Sequence, residues 1–73
     1  MFSKFRQNVK ECLKLEKLTY SQLADISGIA ESTIKCFMSG ANDSRRIAER
    51  IADALGKTLV YNNGVYQLAE TYK

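Results

Sequence analysis

The chain has 73 residues, of which 45% are hydrophobic and 26% charged, with a formal net charge of +3. That length suits one domain over residues 1–73 with a modest core, and the composition argues against disorder. No apolar run approaches the roughly 18 residues of a membrane span, and two cysteines, Cys12 and Cys36, are too few for a disulfide framework or a four-ligand zinc site.

The chain contains no histidine, the commonest general base. Neither a glycine-rich phosphate loop nor a nucleophile elbow is present. The stretch Met1–Arg6 lacks the continuous apolar region of a signal peptide. The expectation is a cytoplasmic protein with reduced thiols that is not an enzyme and has no cofactor, metal, membrane or small-molecule substrate.

In chain order, Phe2, Phe5, Val9, Cys12 and Leu13 recur at helical spacing and predict a first helix over about Lys4–Glu16, with Ser3 as a cap. Lys4, Arg6, Lys10, Lys14 and Lys17 crowd its remaining face, either as a solvated surface or as phosphate contacts. Thr19 and Gln22 form a T-x-x-Q capping box, so a second helix starts at Tyr20 and runs to Ser27, where Gly28 turns the chain. A third helix spans about Glu31–Ser39 and ends at Gly40. A fourth, capped by Asn42, Asp43 or Ser44, carries an apolar stripe of Ile47, Ala48, Ile51, Ala54 and Leu55 and is closed by Gly56.

Beyond Gly56 the period changes. Thr58–Tyr61 and Val65–Leu68 flank Asn-Asn-Gly, which predicts a β-hairpin over about 58–68. A type I′ turn at Asn63-Gly64 sets Tyr61 opposite Tyr66 and Leu59 opposite Leu68 on one face, with Val60, Val65 and Gln67 on the other. The inward four are expected to form a lid on the helical core, the alternative being that the hairpin offers an edge to a second copy.

The string L-T-Y-S-Q-L-A-x-x-S-G-I-x-x-S-T-I at Leu18–Ile34 resembles the lambda-repressor/Cro helix-turn-helix family. Ala24 is the small residue of the helix crossing and Gly28 makes the turn. Leu23, Ile29, Ile34 and Phe37 are the locking apolar positions, with Leu18 as an anchor before them. The later I-A-x-x-I-A-x-A-L-G at Ile47–Gly56 resembles the family's following core helix, so the likeness covers about Phe5–Gly56. It implies a mainly α fold of four to five helices with the hairpin appended, and a helix-turn-helix unit over 20–39.

The same resemblance makes the third helix a recognition helix for the major groove of operator DNA. Its outward residues would then be Ala30, Glu31, Ser32, Lys35, Cys36 and Ser39, with Thr33 beside the DNA backbone. Ser32 and Lys35 suit base edges or phosphates, and Thr19, Tyr20 and Ser21 offer amides and hydroxyls to a phosphate. Function would be regulation of a lysis/lysogeny-type switch in a phage or mobile element.

Three residues depart from the family. Tyr20 stands where glutamine commonly braces a phosphate, Glu31 opens the recognition helix, and Cys36 replaces a long polar reader. Residues 19–40 carry Lys35 against Asp25 and Glu31, net −1, whereas residues 1–18 carry five positive and two negative side chains, net +3. An acidic face of Glu31, Ser32, Cys36 and Met38 also suits docking on the basic surface of a cognate phage repressor, as in small modulators of repression.

Overall fold

Phe5, Val9, Cys12 and Leu13 are the buried residues of the first helix, at the spacing that places them on one side. In the computed structural model, which describes residues 1–70, this helix is α1 (Ser3–Glu16). It is followed by α2 (Tyr20–Ser27), α3 (Glu31–Ser39) and α4 (Arg45–Ala54), then by strands β1 (Lys57–Asn62) and β2 (Val65–Glu70). The expected mainly helical architecture with a C-terminal hairpin is thus present. Of the four to five helices expected, four form among the described residues. Residues 71–73 of the expected 1–73 domain lie outside them.

Ser3 does not cap α1. It is the first helical residue, the N-cap is Phe2, and no side chain caps the helix. Phe2 is 2% exposed, its ring stacked 4.4 Å from Tyr66 and edge-on to Phe5 and Phe37. Burying such a ring is worth about 1.5–3 kcal/mol against about 1 kcal/mol for a serine cap, so packing sets the start of the helix. Its other end closes without glycine. Lys17 takes φ 57°, and the Leu18 amide donates to the Leu13 carbonyl at 2.9 Å in a Schellman arrangement.

The capping box at Thr19 forms as expected, with Thr19 Oγ1 accepting from the Gln22 amide and Gln22 Oε1 from the Thr19 amide. Gly28 ends α2 at φ 72°, a region costly for side chains with a Cβ. Ala30 precedes α3 with no side-chain cap. Ser44 is the residue that caps α4, accepting from the Ile47 amide, while its own amide donates to Asn42 Oδ1. The α4 stripe is set slightly differently from expectation. Ala48, Ile51 and Ala52 are buried, while Ile47, Ala54 and Leu55 pack partly against the core.

The hairpin register is the expected one, with Tyr61 opposite Tyr66 and Leu59 opposite Leu68. Asn63 at φ 53° and Gly64 at φ 79° supply the two left-handed residues of a type I′ turn. Leu59, Tyr66 and Leu68 pack partly buried against the helical core. Tyr61 does not join them and stays 60% exposed, because the turn carries it past the core, with its ring 4.7 Å from that of Tyr66. The β2 edge is tied to α1: the Tyr66 amide donates to the Met1 carbonyl and the Leu68 amide to Asn8 Oδ1, both at 3.1 Å. No helix among the described residues is long and apolar enough to cross a membrane.

Candidate functional site

The outer face of α2 and α3 is defined by what its inner face must do. Leu23, Ile29, Ile34 and Phe37 are all buried in the core, and Leu18, Tyr20 and Ala24 pack partly against it. The left-handed turn at Gly28 and the two residues after it redirect the chain between the helices. With those positions committed inward, helical geometry leaves Ala30, Ser32, Lys35, Cys36 and Ser39 exposed, with Glu31 and Thr33 half-buried. Met38 is not part of this face. It is 6% exposed and belongs to the core, since it follows Phe37 on the side of α3 turned toward the rest of the molecule.

Within the face, Glu31 Oε2 and Lys35 Nζ are 3.1 Å apart, an i,i+4 ion pair. The cation of α3 is therefore neutralised by the carboxylate of its own first turn. Glu31 also faces the positive end of the helix, where a negative side chain is favourable by about 0.3–1 kcal/mol. Ser39 Oγ donates to the Cys36 carbonyl at 2.9 Å, leaving the exposed Cys36 thiol beside it. At the start of α2, both polar groups of Thr19 are engaged in the capping box. Tyr20 is half-buried and Ser21 is exposed.

Sequence reasoning left Arg6 on the basic face of α1, as solvated surface or as a phosphate contact, and the structure corrects this. Its side chain is 14% exposed, with the guanidinium carbon 4.8 Å from the Phe37 ring centroid. Nε donates to the Phe37 carbonyl at 2.6 Å, and Nη2 donates to the Asn42 carbonyl and to Asp43 Oδ1. One planar fork thereby ties α1 to the end of α3 and the loop before α4. Nothing local in the sequence marks Arg6, since its partners lie 31 to 37 residues away.

No protein-family model, curated protein or solved structure matches the chain.

Among the described residues no group of three histidine, cysteine or acidic side chains is placed to hold a metal. Cys12 and Cys36 are both free, one on the buried side of α1 and one exposed on α3. Burial pushes the Cys12 thiol above its ordinary value, disfavouring the reactive thiolate. What the α2–α3 face presents is a short-side-chain surface of hydroxyls, one thiol and one internally satisfied ion pair. Such a surface can read hydrogen-bonding groups at close range and carries little attraction of its own for polyanions.

Proposed function

We propose that the chain is a transcription regulator of a phage or mobile-element switch, using α2 and α3 as a repressor-type helix-turn-helix. The observation that carries this reading is the outward set on α3. Leu23, Ile29, Ile34 and Phe37 hold the helix pair in the core while Ser32, Lys35, Cys36 and Ser39 are exposed together. In this reading α3 enters the major groove of operator DNA, where Ser32 can donate or accept and Lys35 can address guanine acceptors. A homodimer through the hairpin would use β1, because outward amides of β2 are taken by Met1 and Asn8.

The Glu31–Lys35 pair favours a second reading, a modulator that docks α3 on the DNA-binding surface of a cognate repressor. A self-neutralised helix meets the phosphate field without attraction, yet a carboxylate at its start complements a basic partner.

Binding of the purified protein to DNA from its own control region, measured at two salt concentrations, tests the first reading. Salt-sensitive binding with preference over unrelated DNA supports it, and no binding at low salt overturns it. Glu31→Gln separates the two. Releasing Lys35 is expected to tighten DNA binding up to about fivefold, the equivalent of an exposed ion pair of about 1 kcal/mol. The same substitution is expected to weaken a complex with the repressor. Weaker DNA binding by Glu31→Gln would instead identify Glu31 as a base reader, and no complex with the repressor on size-exclusion chromatography would remove the modulator.

A further inference from the structure

The two flanks of α1 carry opposite charge, and they face different neighbours. Lys10 and Lys14 border a shallow depression with Leu18 and Tyr20 at the start of α2, and Lys10 also borders Ser39 and Gly40 at the end of α3. Lys17 follows one turn beyond Lys14. On the other flank, Glu11 and Glu16 line a groove with Lys57 and Glu70 of the hairpin. The basic flank alone adjoins α2 and α3.

The lysines on that flank are also uncommitted. Arg6, Lys35, Arg45 and Lys57 are each held by a carboxylate, whereas Lys10, Lys14 and Lys17 form no ion pair among the described residues. Arg50 lies at the far end of α2, where its guanidinium is 3.8 Å from the place a Cβ on Gly28 would occupy. Arg46 in the first turn of α4 is likewise in no ion pair among the described residues, but it is Lys10 and Lys14 of α1 that border the start of α2, and Lys10 the end of α3. A row of free ammonium groups beside a helix pair with no net cation matches a polyanion of regular spacing.

We infer that affinity and selectivity are divided between helices: Lys10 and Lys14 on α1 contact the phosphate backbone of duplex DNA, while α3 contributes choice of sequence and little of the electrostatic attraction. This rests on the DNA-binding reading above. Tyr20, the first residue of α2, lines the same depression as the two lysines and takes the place of a polar brace as an apolar wall with a hydroxyl tip.

The test is titration of a fluorescent, mixed-sequence 24-base-pair DNA duplex (about two turns of helix) with the full chain over a range of salt concentrations. The Lys10→Gln/Lys14→Gln double variant is expected to flatten the slope of log affinity against log salt by about 1.8, the loss of two phosphate contacts at about 0.9 each. Lys10→Arg/Lys14→Arg is expected to restore the slope. Lys4→Gln removes the same charge beside Val65 of the hairpin and is expected to leave the slope unchanged. Both lysines are exposed and unpaired, so thermal melting of the double variant checks that the fold is intact.

If the wild type binds and the double variant keeps its slope, the division of labour is wrong while DNA binding stands. If Lys4→Gln flattens the slope as much per charge, the effect is net charge and not contact, and the inference again fails. A wild type that does not bind the duplex at low salt overturns both.

Discussion

Arg6 shows how much one side chain can settle when its partners converge from distant parts of the chain. Its guanidinium meets two backbone carbonyls, one carboxylate and the face of Phe37. A single hydrogen bond to a charged group contributes about 1.5–3 kcal/mol, and the Asp43 partner is exposed, so it adds little. Arg6→Leu is accordingly expected to lower stability by about 1.5–3 kcal/mol in urea unfolding. Arg6→Lys is expected to recover little, because an ammonium cannot serve three acceptors in a plane while covering a ring. Full recovery by lysine would mean that only a point charge is needed. Glu31 is the contrasting case, a charged residue whose proximity to Lys35 is legible in the sequence from their i,i+4 spacing.

Helix α2 illustrates the same point for an element. It has only eight residues, too few to persist without tertiary support and good ends. Its ends are the parts that sequence reasoning read best, since a capping box and a terminal glycine are local chemistry. Thr19→Ala removes the Oγ1 acceptor for the Gln22 amide, and the expected loss is about 1 kcal/mol with an unchanged urea m-value. A loss of under about 0.3 kcal/mol would show that packing of Leu23 alone holds the helix. The start of α1 was misread for the complementary reason. Ser3 is a good cap by local rules, yet Phe2 and its partner Tyr66 decide where the helix begins. No local rule includes a residue 64 positions away.

For the whole molecule, the hairpin joins the helical core through its inner side chains and through the N-terminal segment. Around that junction two groups titrate abnormally. The Cys12 thiol lies above its ordinary 9.0, chiefly through burial, with Lys57 opposing and Glu16 and Glu70 reinforcing the shift. The Lys57 ammonium lies above its ordinary 10.5, chiefly through its hydrogen bond to Glu70. In the folded chain both keep a proton that the unfolded chain has released, so stability falls as pH rises. These contributions are complete below the ordinary values and are lost as pH climbs through the raised ones. Wild type is expected to lose stability relative to Cys12→Ala once pH passes 9.0, and relative to Lys57→Met once it passes 10.5. Parallel pH profiles of the urea midpoints would contradict this.

The sequence by itself determined the four helices, the ends of α2 and α3, the type I′ turn and its register. Each depends on residues within a few positions of one another, where capping, helical period and turn chemistry operate. It also assigned Leu23, Ile29, Ile34 and Phe37 to the inside of the α2–α3 pair, and so the exposed set on α3. Only the tertiary structure decided that Met38 is core, that Tyr61 lies outside it, and that Arg6 is an anchor rather than a surface charge. It alone set the lysines of α1 beside α2 and α3 and the glutamates beside the hairpin. Those outcomes depend on which faces meet, and long-range packing settles that through burial and through the pairing of groups far apart in the chain.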